Sequence, residues 1–302
     1  MTSKSYNSIN GILLLDKPLH ASSNQVLQKV KHLYKVKKAG HTGCLDPLAT
    51  GMLPICLNEA TKFSQFLLDN EKHYFVVAEL GTQTDTGDAE GQVIATQTVP
   101  PISEEYLRSV LLKFEGEIQQ IPPMYSALKH QGTPLYKFAR QGIDIERKPR
   151  DVSIYQIQFK HFNNRQLALE VHCSKGTYIR TLIEDIGKHL KCGAHVIELR
   201  RLKVGHLEQS GLITLTELQA LTANELQAQV KPISVMLAPL PKIMLADPLD
   251  ERFWLGQKLP YADLPSGQWV RVYSERYGFI GVGQGESEGQ LLVPVRLMQK
   301  NC

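Results

Sequence analysis

Residues 40–54 read Gly40-His41-Thr42-Gly43-Cys44-Leu45-Asp46-Pro47-Leu48-Ala49-Thr50-Gly51-Met52-Leu53-Pro54. Three glycines and two prolines in fifteen residues punctuate too densely for an element interior, so the stretch reads as a shaped loop. Asp46 is its only carboxylate. Upstream, Lys17 to Leu45 contains no acidic residue and six lysines: Lys17, Lys29, Lys31, Lys35, Lys37 and Lys38. A lone carboxylate closing a basic run suits a division of labour, in which lysines meet a polyanion's backbone and the acid does chemistry. The competing reading is an Asx-turn, which Asp ahead of Pro commonly starts.

The flanks supply elements to carry this loop. Gly11 to Leu15 is an apolar run closed by Asp16-Lys17-Pro18, a buried strand entering a turn. Ser22, Ser23 or Asn24 caps a helix with Val26, Leu27, Val30, Leu33 and Tyr34 at helical spacing. Lys29, Lys31, His32 and Lys35 fall on its more exposed faces, and the missing acids turn that surface toward phosphate. Downstream, Ala60, Phe63, Phe66 and Leu67 suggest an amphipathic helix ending near Asp69-Asn70. Tyr74 to Leu80 has the aromatic and β-branched content of a buried strand. The polar stretch Gly81 to Asp88 follows it.

Ile102 to Phe114 predicts a helix with Ile102, Tyr106, Val110, Leu111 and Phe114 on one side. Pro122-Pro123-Met124-Tyr125-Ser126 breaks the pattern. Between Lys129 and Arg150, seven basic residues (His130 included) oppose only Asp144 and Glu146, with Tyr136 and Phe138 interleaved. Aromatics among cations suit RNA, since rings stack on unpaired bases while Lys and Arg hold phosphates. Leu167, Leu169, Val171 and Cys173 alternate as a strand; Leu182, Ile183, Ile186 and Leu190 mark a helix core face. Thr214 and Glu217 have capping-box spacing and open a helix through about Gln229.

Pro232, Pro239 and Pro241 punctuate a crossover, with a domain boundary near Ala246. Residues 247–302 give a short helix, Pro248 to Leu255, then strands at Trp269 to Tyr273, Tyr277 to Val282 and Gln290 to Arg296. A glycine-rich gap, Gly283 to Gly289, separates the last two. These form a small β-rich barrel.

Composition bounds the function. With 302 residues, 42% hydrophobic and 21% charged, the chain reads as a soluble globular protein of two domains. Net charge is +4, and 28 of the basic against 23 of the acidic residues lie in the first 246, which permits an RNA partner. Five cysteines, odd in number and without C-x-x-C spacing, give neither a disulfide framework nor a zinc site. Met1 to Asn10 lacks an apolar signal core and no run reaches membrane-spanning length, so the expected location is cytoplasmic with no membrane partner.

The loop meets, at every fixed place, the pattern G-H-x-G-x-L-D-P-x-A-x-G-x-L-P. This resembles the signature of bacterial tRNA pseudouridine synthases of the TruB type, which isomerise the T-loop uridine at position 55. Asp16-Lys17-Pro18, Gly81 to Asp88 (G-x-x-T-D-T-x-D), Gly176 to Leu182 and Leu199 to Gly205 (L-R-R-x-x-V-G) extend the resemblance. It implies an α+β fold: a mixed-sheet catalytic domain over 1–246, an RNA-gripping insertion at about 124–150, and a PUA-like domain over 247–302. It makes Asp46 the nucleophile, Arg180 its cationic partner and Tyr74 the residue against the base. His41 would stack where the uridine leaves, Tyr178 and Leu199 would complete the pocket, and Lys17 would border it. It implies an enzyme, an isomerase, that needs no metal or cofactor. It also implies a monomer bound to the tRNA T arm without an obligatory protein partner. Two other classes compete: a cysteine hydrolase using Cys44 with His41, and a tRNA-binding chaperone whose catalysis is secondary.

Overall fold

The computed structural model describes residues 6–286 and 290–300. One mixed sheet runs through the first 214 residues. Its strands are β1 (Gly11–Lys17), β2 (Ala39–His41), β3 (Ala49–Leu57), β4 (Lys72–Leu80), β5 (Gly116–Gln120), β6 (Arg150–Asn163), β7 (Gln166–Cys173), β8 (Ala194–Val204) and β9 (Ile213–Thr214). Their order is β9-β1-β3-β8-β4-β7-β6-β5, with β2 beside β3. The pairs β1–β9 and β3–β8 are parallel and the others antiparallel.

The strands read from the sequence are buried: Leu13, Leu15, Val76, Leu167 and Leu169 are fully enclosed, as is Ile55 of β3. Three helices cover that face. In α1 (Ser23–Leu33), Ser22 is the cap and forms a capping box with Gln25; Val26, Leu27 and Val30 pack down. In α2 (Glu104–Leu112), the packed residues are Leu107, Val110 and Leu111, and Tyr106 points out. The expected face holds at Val110 and Leu111, with Ile102 and Phe114 packed against the same core, and Leu107 takes the place expected for Tyr106. In α3 (Ile179–His189), Leu182, Ile183 and Ile186 meet the sheet.

Other expectations shift in detail. Ala60 to Leu67 is a 3₁₀ turn, Asn58–Phe63, followed by a short helix, Gln65–Leu68. The single helix expected to Gln229 is two, Leu215–Ala220 and Ala223–Ala228, because Thr222 and Glu225 form a second capping box.

The C-terminal part is a five-stranded half-barrel: β10 (Lys242–Leu245), β11 (Leu259–Pro260), β12 (Trp269–Ser274), β13 (Gly278–Glu286) and β14 (Leu291–Leu297), in order β10-β12-β13-β14-β11. Its first strand thus lies ahead of Ala246. Strand β13 continues through the expected glycine gap as far as Glu286; residues 287–289 lie outside the described residues. Gly283 is there for space, since a Cβ would press on the Leu292 side chain. The half-barrel seats on the 3₁₀ turn and helix after β3, with Phe63 edge-on to Phe279 at 5.5 Å and Phe66 edge-on to Trp269 at 5.3 Å.

Candidate active site

The stretch read as one loop is a loop only between β2 and β3. Gly40 and His41 belong to β2, and Gly51 and Pro54 to β3. Gly51 has φ of 96°, and a Cβ on it would collide with the backbone of Arg201 on the parallel neighbour β8. The glycine serves the strand seam rather than a turn. The turn itself is closed by the Ala49 amide on the Asp46 carbonyl at 3.0 Å. Ser23 props it from α1: its hydroxyl donates to the Leu45 carbonyl at 3.0 Å and accepts from the Leu45 amide at 2.8 Å.

Two buried cations hold the loop from beneath. Lys17 Nζ donates to the carbonyls of Pro18, Ala21 and Pro47 at 2.8, 2.6 and 3.3 Å. Arg201, 1% exposed, donates to the carbonyls of Met52, Gly43 and Cys44 at 2.8, 3.1 and 3.4 Å. Lys17 was expected to meet substrate; fully buried, it is spent on backbone instead. Burial lowers its ammonium pKa to about 8, with the Asp46 carboxylate opposing. Its neighbour Asp16 pairs with Arg200 through both oxygens, at 2.9 and 2.7 Å.

Asp46 accepts no backbone amide among the described residues, so the Asx-turn is not formed. Its Oδ2 instead meets Arg180 Nε at 2.9 Å, and its side chain keeps 36% exposure toward a cavity. Arg180 does not grip both oxygens. Its NH1 donates to the Thr86 carbonyl and its NH2 to the Tyr125 carbonyl, each at 2.7 Å, and Asp88 stands 3.6 Å from NH1. Asp88 is fixed in turn by the Thr86 hydroxyl at 2.7 Å and the Glu90 amide at 3.1 Å. Two carboxylates therefore offset a guanidinium buried at the first turn of α3, where the helix dipole disfavours it. Burial pushes the Asp46 carboxyl above its ordinary range, Arg180 pulls it back, and Asp88 and Glu90 add to the rise.

The cavity over Asp46 has a volume of about 270 Å³ and is lined by Tyr74, Tyr178, Leu199 and Arg180, as expected from the sequence. Lys72, Ser126 and Arg201 also line it, and the sequence reading passed over all three. Arg201 was legible in hindsight, because two positions beyond Leu199 on a strand is the same face. Burial raises the Tyr74 phenol pKa, with Arg201 opposing, and raises that of Tyr178. Burial lowers the Lys72 ammonium to about 8; its Nζ bonds the carbonyls of Leu68 and Asn70 at 2.7 and 2.5 Å.

His41 is absent from the lining. It pairs with Ile55 across β2–β3, its Nδ1 buried without a partner, and burial lowers its pKa. Cys44 does line the cavity, but burial raises its thiol pKa and its Sγ faces the Leu45 carbonyl at 3.7 Å, not an imidazole. A hydrolase pair is not assembled.

The basic insertion leaves Lys129, His130, Lys137, Arg140, Lys148 and Arg150 exposed. Arg147 is the exception. It turns in to the carbonyls of Ile145 and Pro122 at 3.0 and 3.2 Å and to Asp144 at 3.2 Å. No helix among the described residues is long and apolar enough to cross a membrane.

Comparison with known proteins finds family matches along most of the chain. Residues 31–179 match the TruB family pseudouridylate synthase N-terminal domain. Residues 180–243 match the tRNA pseudouridylate synthase B C-terminal domain, and 241–298 the C-terminal domain of pseudouridine synthase II TruB. The tRNA pseudouridine synthase B of Yersinia enterocolitica is 48% identical over 301 residues, covering 96% of this chain and 91% of that one. That of Mannheimia succiniciproducens is 49% identical over 281 residues, covering 91% and 92%. Among solved structures, a chain of a Cbf5-Nop10-Gar1 complex superposes with a TM-score of 0.73 at 25% identity, over 99% of this chain and 91% of that one. An aspartate paired with a buried arginine in the lining of a small cavity, within matches of this extent, leads to one assignment: the chain belongs to the TruB family of pseudouridylate synthases.

Proposed function

We propose that the protein isomerises uridine to pseudouridine at position 55 in the T loop of tRNA, acting on a base turned out of its stack, with Asp46 as the nucleophile. The observation that carries this reading is the 2.9 Å pair of Asp46 and Arg180 at the floor of a cavity open on one side. The relatives' shared name supplies the tRNA. A base inside a helix cannot reach such a floor, so it must be extruded.

The reaction breaks the N1–C1′ bond, turns the ring, joins C5 to C1′, releases the C5 proton and protonates N1. A carboxylate can add to C1′ or draw a C2′ proton to give a glycal. Either role needs Asp46 ionised, and Arg180 favours that form against the burial that opposes it. Tyr74, whose phenol burial keeps protonated, offers a ring face and an O–H rather than a base. Leu199 and Tyr178 would pack on the uracil and exclude water. Lys129, Lys137, Lys148 and Arg150 would meet the phosphates of the T arm. The C-terminal half-barrel, which we bound from about residue 241 rather than 247, carries nearly balanced charge and contributes less to binding.

Transfer RNA tritiated at uridine C5 tests the reading. One tritium released per tRNA is expected, with none from tRNA carrying cytidine at position 55. No release would overturn the isomerisation, and release unaffected by that substitution would overturn the position.

A further inference from the structure

The far side of the sheet carries a cluster that the isomerisation does not use. Lys72 and Tyr74 point into the cavity, and alternation along β4 turns His73 to the opposite face. There it stands directly across from His172 of β7, and the two imidazoles stack with centroids 3.8 Å apart and planes 16° apart. Glu71 brings a carboxylate oxygen to 3.2 Å from His172 Nε2. That nitrogen is buried and lies off any hydrogen-bonding line. Potential ligand atoms of all three residues fall within 4.8 Å of one another.

We propose that Glu71, His73 and His172 form a binding site for a divalent transition-metal ion of the Zn²⁺ or Ni²⁺ class. Two imidazole nitrogens and one carboxylate oxygen suit such ions; Mg²⁺ and Ca²⁺ prefer oxygen alone. Ligation needs the neutral ring, so uptake of the ion competes with protons. Parallel rings point their lone pairs side by side, so one must turn about its Cβ–Cγ bond, a broad torsion. Tyr155 packs on His172 at 4.7 Å, which leaves the turning to His73. The paired strands fix both backbones before the ion arrives, so little ordering is required. The ion would clip β4 to β7 behind Tyr74. The competing account is a His172–Glu71 ion pair that needs no metal.

Tag-free protein titrated with ZnCl₂ and with NiCl₂, by calorimetry and by thermal unfolding, separates the two. We expect one saturable site per chain and a metal-dependent rise in Tm. Both should be lost, or binding weakened at least about tenfold, in His73→Gln and His172→Gln. Cys44→Ala, in the cavity on the other side of the sheet, should change neither. Isomerase turnover without added metal reports that each variant is folded, and Glu71→Gln replaces either histidine variant that is not. The proposal is overturned by absent one-to-one binding in the parent, by binding unchanged in the histidine variants, or by binding lost only in Cys44→Ala.

Discussion

The Asp46 loop and the insertion at 124–150 are both rich in positive charge nearby, yet they use it in opposite ways. Around the loop, Lys17, Arg180 and Arg201 are buried, and between them they end on eight backbone carbonyls. In the insertion nearly every cation faces solvent, and Arg147 alone turns inward. A basic residue near a polyanion site is thus scaffold or ligand according to its burial, and sequence composition does not separate the two.

The largest expected effect lies in the loop. Asp46→Asn keeps the size of the side chain but removes its charge, so pseudouridine formation should fall on the order of 10⁴-fold or more. Transfer RNA affinity, carried by phosphate contacts elsewhere, should hold. Cys44→Ala should keep its turnover. A tritium-release assay beside a filter-binding assay reads all three, and retained isomerisation in Asp46→Asn would make the aspartate a mere loop residue.

Next comes Arg180→Lys. An ammonium can meet Asp46 but cannot also hold the Thr86 and Tyr125 carbonyls in one plane. Turnover under single-turnover conditions should drop about 10²–10³-fold, with affinity little changed. Activity within about twofold of the parent would mean that the guanidinium is packing only.

Arg201→Met sharpens the scaffold half of the contrast. Three carbonyls lose their donor, which should cost about 3 kcal/mol of stability, read as a lower Tm or denaturant midpoint. If stability is unchanged, the loop is held by β3 and Ser23 alone.

The pH profile is a subtler test. Asp46 must be ionised, and burial raises its pKa above the ordinary 3.8, so activity should fall on acidification at a pH above that value. Since Arg180 lowers that pKa, Arg180→Met should move the acid limb of the residual kcat/KM further up. A limb that stays in place would dissociate the two groups.

The smallest effect belongs to the insertion. Lys148→Ala with Arg150→Ala should flatten the dependence of log affinity on log salt, by about 0.7–0.9 unit for each phosphate that is no longer neutralised. Arg147→Ala should leave that slope alone, because its guanidinium is already committed to Pro122 and Asp144. Equal changes in slope would erase the distinction between inward and outward cations.

Much of this was legible in the chain. The apolar run at Gly11 to Leu15, the β-branched content of Tyr74 to Leu80 and the alternation at Leu167 to Cys173 all read as strands, and the burial of Leu13, Leu15, Val76 and Leu169 follows. What was missed has local causes. Strand β6 is fourteen residues long, but bulges between Ile154 and Gln156 and between Phe159 and His161 shift its buried positions, so strict alternation never appears. Lys17 looked like a phosphate ligand because nothing in a sequence shows carbonyls converging on an ammonium. Asp88 closed a polar stretch that reads as solvated turn, and only the fold brings it to Arg180. His41 sat in the signature, but strand pairing withdrew its ring from the cavity.

Arg180 is one side chain on which a distant pair depends. Asp46 and the root of the insertion at Tyr125 do not bond to each other, yet each is bonded to the same guanidinium. Perturbations of the two should therefore combine non-additively in a double-mutant cycle, and the coupling should vanish when Arg180 is itself replaced. In evolutionary terms the insertion's root is not free to drift as a surface loop would be. A change there that moves the Tyr125 carbonyl also changes how Arg180 meets Asp46.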